Sequence, residues 1–144
     1  ISLPPKQYGG SYVEEFFLNN LNISDHESFK EIKDLKVSSH LYIKRDGEII
    51  QFVPFNKRAW HAGDSVFKGV PNCNDFSIGI ELEGADDDIF TEEQYDSLAS
   101  ATKEIIKEYP LISKDNITGH SEIAPNRKTD PGNRFDWEKY LKLV

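Results

Sequence analysis

The sequence contains no methionine, only one cysteine and no long apolar run. A single cysteine, Cys73, excludes an internal disulfide and is compatible with a reducing compartment. No stretch approaches the roughly 18 apolar residues of a membrane span, and residues 1–10 lack the charged and apolar regions of a signal peptide. Because methionine is absent, we expect that sequence upstream of Ile1 was removed or not captured.

The chain also lacks an excess of basic residues. It has 17 Lys and Arg against 25 Asp and Glu, for a net charge of −8. Since binding a polyanion requires a concentrated basic patch, this balance argues against a nucleic-acid partner. With 144 residues and 38% hydrophobic content, the sequence predicts one compact domain over residues 1–144.

The hydrophobic periodicity predicts helices and strands without a regular βαβ rhythm. It favours an α/β fold built on a single mixed β-sheet flanked by helices. Three strands are visible, so we expect one strand of the sheet to be absent from this chain. The predicted elements are a helix over 11–18, a short helix from Ser24, a hairpin over 37–53 turning at Asp46-Gly47, a strand over 76–83, a helix from Thr91 to Pro110, a short strand over 116–118 and a closing helix from about Asp136.

One polar segment carries residues suited to metal chemistry. His120 and Asp130 are donors that Zn²⁺ accepts, and Lys128 shares a face with Asp130 if the backbone between them is extended. A cation beside a zinc site suits amide hydrolysis, because it stabilises the developing oxyanion. The alternatives are a surface hydrogen bond between His120 and Asp130 and an ordinary Lys–Asp pair.

Glu81 is the candidate proton carrier. It lies on the face of its predicted strand where Ser77 and Gly79 leave room for a ligand, so it could receive a proton from a metal-bound water. Glu83 points to the same side, and the pattern favours Glu81 only weakly.

The segment Trp60-His61-Ala62-Gly63 combines an aromatic plate, an imidazole and a flexible turn, a mixture that can line a sugar or peptide groove. A packed loop histidine is the commoner explanation for His61. We predict that His40 is a core histidine with satisfied hydrogen bonds. His26 is predicted to be neither a ligand nor a core residue.

Taken in order, these segments resemble the zinc amidase family that includes AmpD-type enzymes, phage amidase lysozymes and peptidoglycan-recognition proteins, and the AmpD-type branch is the most similar. The resemblance covers essentially the whole chain. It is carried by ISLPP at 1–5, YGG at 8–10, VSSHLYIKRDGEI at 37–49, KRAWHAG at 57–63, CNDFSIGIELEG at 73–84, TGHSEIAPNRKTDPG at 118–132 and FDW at 135–137.

The resemblance implies a zinc-dependent N-acetylmuramoyl-L-alanine amidase that cleaves anhydromuropeptides during cell-wall recycling in the bacterial cytoplasm. It implies a small muropeptide as the partner, with no nucleic acid or membrane, and we expect a monomer. The implied zinc ligands are His120 and Asp130, the catalytic residues Glu81 and Lys128, and the substrate-binding residues Trp60, His61 and Arg127.

The sequence departs from the family pattern in two places. The family's third zinc ligand, a histidine that ends a first strand, would lie two residues before the stretch matching Ile1, so we expect an N-terminally incomplete domain that is itself inactive. Asn72 stands where related enzymes can carry a basic residue near the substrate. The alternative function is a muropeptide-binding module of the same fold without catalysis.

Overall fold

The computed structural model describes residues 1–144 and contains four α-helices and five strands. In chain order these are α1 (Tyr12–Phe17), β1 (Leu41–Ile43), β2 (Ile49–Gln51), β3 (Val66–Phe67), β4 (Val70–Pro71), β5 (Ile80–Leu82), α2 (Glu92–Glu108), α3 (His120–Ile123) and α4 (Trp137–Leu143). Short 3-10 helices cover Glu27–Ile32, Cys73–Asp75 and Lys114–Asn116.

The main sheet is mixed, as the sequence predicts. Its strand order is β2-β1-β5, with β1 antiparallel to β2 and parallel to β5. Ile1 continues the pairing on the outer side of β5, since its backbone N–H donates to Leu82 O at 2.8 Å and Gly84 N–H donates to Ile1 O at 2.9 Å. The strand that carries Glu81 therefore lies between β1 and the first residue of the chain.

Two apolar clusters cover the two faces of the sheet. Alternation along β1 sends Ile43 toward α2 and α4, where it packs with Leu98 and Tyr140, and sends Tyr42 toward α1, where it packs with Phe17. The helices thus cover both faces of β1, whereas β5 packs with Ile80 and Leu82 on the cluster of α2 and α4. No helix combines the length and apolarity that a membrane crossing needs.

The hairpin and the long helix agree with the sequence prediction. Gly47 has φ +87° at the turn between β1 and β2. At the start of α2, Thr91 Oγ1 accepts from Gln94 N–H at 3.1 Å while Gln94 Oε1 accepts from Thr91 N–H at 3.2 Å, which is the predicted capping box. The predicted helices at 11–18 and from Asp136 correspond to α1 and α4.

Other predicted boundaries are wrong. The strand expected over 76–83 is reduced to β5, because Gly79 N–H donates to the His40 side chain instead of a neighbouring strand. The strand expected over 116–118 is absent, since the 3-10 helix Lys114–Asn116 occupies part of that stretch. The helix from Ser24 is a 3-10 helix capped by His26, and the β3–β4 ribbon was not predicted.

Candidate active site

The residues at the start of α3 bring an imidazole and a carboxylate together. His120 Nδ1 lies 3.1 Å from Asp130 Oδ2, and the side chains are 13% and 40% exposed. Helix α3 begins at His120, and Ser121 N–H donates to Asp130 O at 2.9 Å, which ties the two segments. The structure therefore places the two predicted metal ligands next to each other at a partly open position.

The second nitrogen of His120 lies at the Ala62 loop. Nε2 is 2.9 Å from Ala62 O, which can only accept, and 3.4 Å from Arg127 Nη2, which can only donate. Nδ1 is the nitrogen that faces the Asp130 carboxylate. The imidazole is therefore held between the Ala62 loop and Asp130.

The charges around Asp130 keep it ionised. Burial alone would raise the pKa of Asp130, but the hydrogen bond from His120 and the positive charges of His120 and Lys128 hold it below its ordinary value. A carboxylate oxygen and an imidazole nitrogen are both ligand types that Zn²⁺ binds. No three His, Cys, Asp or Glu side chains converge in the chain, so this pair supplies two ligands.

Glu81 lines the same cleft as His120 and Asp130. Its side chain is 26% exposed. Burial raises the pKa of Glu81 above its ordinary value, and the negative charge of Asp130 adds to this shift. A carboxyl group with a raised pKa at the edge of a cleft is suited to accept a proton and return it.

Lys128 lies in a depression next to the cleft that holds Glu81, His120 and Asp130. It lines an open pocket beside Asp86, Thr129 and Gly132, whereas Asp130 lines the main cleft. Its positive charge nevertheless opposes the rise in the pKa of Glu81 and contributes to the lowered pKa of Asp130. The structure thus brings Lys128 into the electrostatic field of the site, although not into the lining of the main cleft.

Glu83 has a different environment from Glu81. It is 2% exposed, and its carboxylate accepts from Gly9 N–H at 2.6 Å and from Arg45 N–H at 2.9 Å. Both oxygens are engaged in holding loops, so Glu83 is a structural carboxylate. The structure separates two glutamates that the sequence pattern could barely distinguish.

The loop that follows Trp60 supplies the remaining predicted residues. Trp60 is 55% exposed, and the Arg58 guanidinium lies 4.0 Å over its ring while also pairing with Asp75 at 2.7 Å. Arg127 turns inward, because its Nη2 donates to Ala62 O at 2.6 Å and Asp64 O at 3.0 Å. Trp60 is therefore open to a ligand, whereas this face of Arg127 is occupied by the loop.

His61 lies against the start of β5. A Cβ on Gly79 would come within 2.3 Å of the His61 ring, so only glycine fits there. Burial lowers the pKa of His61 to about 4, and the neighbouring His40 adds to the effect. His40 is 1% exposed and uses both nitrogens, with Nε2–H donating to Lys57 O and Nδ1 accepting from Gly79 N–H, as predicted for a satisfied core histidine.

Sequence reasoning missed two parts of the site. The Ala62 carbonyl leaves no trace in the sequence, because every residue has one. Asn74, whose Oδ1 accepts from His61 N–H at 3.0 Å and from Ala62 N–H at 2.8 Å, lies within the CNDFSIGIELEG block but has no spacing that indicates a role. The cleft that contains Glu81, His120 and Asp130 continues over apolar side chains such as Ile105 and Ile117.

A mixed α/β fold whose cleft holds a carboxyl group of raised pKa and a histidine–aspartate pair is suited to a hydrolytic enzyme. The sequence profile of the N-acetylmuramoyl-L-alanine amidase family matches residues 11–133. The chain therefore belongs to this family, and the relatives described next place it in the AmpD-type branch.

Three relatives show the similarity to AmpD-type and related amidases. The chain is 55% identical over 144 residues to the 1,6-anhydro-N-acetylmuramyl-L-alanine amidase AmpD of Haemophilus influenzae, covering 100% of this chain and 78% of that protein. A crystal structure of a selenomethionine AmpD derivative has a TM-score of 0.97 at 52% identity, covering 100% of this chain and 80% of the other. The amidase AmiD of Escherichia coli, solved with anhydro-N-acetylmuramic acid-L-Ala-D-γ-Glu-L-Lys, has a TM-score of 0.70 at 35% identity, covering 81% and 51% of the two chains.

These similarities confirm the predicted fold and enzyme class. They do not favour the alternative of a non-catalytic binding module, since each relative is named as an amidase.

Proposed function

We propose that this domain, completed by the upstream zinc histidine that the family resemblance implies, hydrolyses the amide bond between 1,6-anhydro-N-acetylmuramic acid and L-alanine in peptidoglycan recycling, with His120 and Asp130 as two of the zinc ligands. The substrate follows from the name of the Haemophilus influenzae relative and from the muropeptide bound to AmiD. Cytoplasmic action and a monomeric state stay predictions of the family resemblance.

The observation that carries the zinc proposal is the orientation of His120. Its Nε2 lies 2.9 Å from Ala62 O, so its Nδ1 is the nitrogen that faces an Asp130 carboxylate oxygen, at 3.1 Å. Ligand atoms about 2.0–2.2 Å from a tetrahedral zinc ion are roughly 3.3 Å apart, close to this spacing. A backbone carbonyl that fixes the tautomer of a ligating histidine is a common feature of zinc sites.

The residues of the chain divide the reaction between them. Zinc, when bound, supplies a Lewis acid and makes water more acidic. Glu81 accepts the proton of the attacking water and then donates it to the alanine nitrogen, for which its raised pKa is suited. Lys128 stabilises the negative charge that develops on the substrate carbonyl oxygen. Trp60, His61 and Arg127 are the residues we assign to contacts with the muropeptide.

The test uses the full-length gene product and the substrate seen in AmiD. Metal content is measured by mass spectrometry of the purified protein, and cleavage by release of the L-Ala-headed peptide. We expect one zinc per chain and peptide release; Asp130→Ala should lose both. Asp96→Ala, an exposed aspartate on α2, is the matched control and should keep both. A zinc-loaded protein that releases no peptide would contradict the mechanism, and cleavage without bound metal would contradict the metal assignment.

A further inference from the structure

Lys128, the proposed oxyanion stabiliser, lies in an open depression that Asp86 and Asp87 also line. No carboxylate nevertheless comes within 4.0 Å of its ammonium to form an ion pair. We propose that Thr129 is a positioning residue for Lys128: its hydroxyl holds the Asp86 carboxylate and prevents that carboxylate from pairing with Lys128. The inference rests on the proposed function for the role of Lys128, but not for the contacts around it.

The first step is the contact between Thr129 and Asp86. The Thr129 hydroxyl donates to Asp86 Oδ2, and both residues are exposed. Lys128 and Asp130 are half-buried, so burial alternates along 128–130 as it does in an extended segment. Thr129 therefore projects away from the face that carries Lys128 and Asp130, and it holds the Asp86 carboxylate on that outer side.

The second step concerns the aspartates that follow Asp86. Both have partners elsewhere in the chain, since Lys6 pairs with Asp87 at 2.5 Å and the Tyr8 hydroxyl donates to Asp88. Asp86 itself has no side-chain partner other than the threonine hydroxyl. Asp86 is therefore the carboxylate that loss of this hydroxyl would release.

The third step is the backbone contact that keeps Asp86 beside Lys128. Gly132 has φ +84°, and a Cβ there would overlap Asp86 O, so the two segments touch directly. Asp86 therefore stays next to the 128–132 segment even without its hydroxyl partner. Because Asp86 and Lys128 line the same depression and carry opposite charges, a released Asp86 would pair with Lys128 and draw the ammonium away from the substrate oxygen.

The experiment compares near-isosteric variants of the full-length protein. Thr129→Val replaces the hydroxyl by a methyl group, Thr129→Ser keeps the hydroxyl, and Asp86→Asn removes the charge but keeps an oxygen acceptor. Turnover of the anhydromuropeptide seen in AmiD is measured at low and at high ionic strength. Independently of activity, mass spectrometry measures how fast an amine-reactive ester acetylates Lys128, because an ammonium in an ion pair loses its proton less readily.

We expect Thr129→Val to lower both kcat and the acetylation rate of Lys128 about 2–5-fold at low salt, the size of effect that one exposed ion pair can have. The loss should shrink at high salt, because salt screens an exposed pair. Thr129→Ser should behave as the wild type. Thr129→Val combined with Asp86→Asn should regain wild-type values, since a neutral amide does not capture a cation. A threonine that only supported the fold would show neither the salt dependence nor this rescue.

A wild-type rate of Lys128 acetylation in Thr129→Val overturns the proposal, and so does a defect that persists when Asp86→Asn is added. Normal turnover in Thr129→Val also overturns it if Lys128→Ala is impaired. If Lys128→Ala instead keeps full turnover, the proposed function loses its oxyanion stabiliser, and the acetylation rates alone decide whether Asp86 captures Lys128. Circular dichroism checks that each variant is folded; should Thr129→Val not fold, Thr129→Ala is judged by the same criteria.

Discussion

The two glutamates of β5 and its C-terminal flank are two residues apart and have opposite environments. Glu83 accepts from two backbone N–H groups and is almost completely buried. Glu81 has no hydrogen bond that holds it; its pKa is raised by burial, and it faces the cleft with His120 and Asp130. A carboxylate whose oxygens are fully used stabilises the fold, whereas one left without partners beside a cleft is available for chemistry.

The largest expected effect comes from Glu81→Gln. The side-chain amide that replaces the carboxylate cannot accept the proton of the attacking water. Turnover should therefore fall about 10²–10⁴-fold, the usual contribution of a general acid or base. Stability should not fall, because the wild-type carboxyl is already partly desolvated and a neutral group costs less there. Steady-state kinetics and thermal unfolding are the two measurements. Full activity in Glu81→Gln would contradict the assignment of Glu81 as the catalytic glutamate and Glu83 as the structural one.

Lys128→Ala should reduce turnover about 10²–10³-fold, as loss of one oxyanion-stabilising group does. Zinc content should be unchanged, because Lys128 acts on the site through its charge and is not a ligand. Mass spectrometry of the metal and kinetics on the same preparation test this. Lys107→Ala is the matched control, because this exposed lysine on α2 pairs only with Glu104. Lys128→Ala with normal turnover would leave the oxyanion role unfilled.

The structure brings the predicted ligands His120 and Asp130 together and places the predicted proton carrier Glu81 in the same cleft, and their roles stay predictions. These residues could be selected from the sequence because their chemistry and the family resemblance both point to them. The lengths of the short strands could not be predicted, because side-chain hydrogen bonds determine where they end. Gly79 N–H donates to the His40 side chain, so the strand that alternation predicts over 76–83 begins only at Ile80. The Ala62 carbonyl depends on tertiary contacts alone, so no local pattern could indicate it.

Glu83→Gln tests the other side of the comparison. One carboxylate oxygen becomes an NH₂ donor, which must then face Gly9 N–H or Arg45 N–H. We expect the free energy of unfolding to fall by about 1.5–3 kcal/mol, the cost of a lost charge-assisted hydrogen bond. Denaturant unfolding measures this. Turnover per folded molecule should stay near the wild-type value; a large loss of turnover without a loss of stability would give Glu83 the role assigned to Glu81.

The smallest effect concerns His61, which packs on Gly79 at the end of the strand nearer the cleft. Its pKa is about 4 in the folded protein and 6.5 in the unfolded chain, so between these values the unfolded state binds the extra proton. The free energy of unfolding should therefore decrease as pH falls from 6.5 to about 4, by on the order of 1–3 kcal/mol. His61→Gln cannot titrate and should lose most of this slope in urea unfolding; His40, whose pKa burial also lowers, accounts for the remainder. A variant that keeps the full wild-type slope would show that His61 is not held neutral beside the cleft.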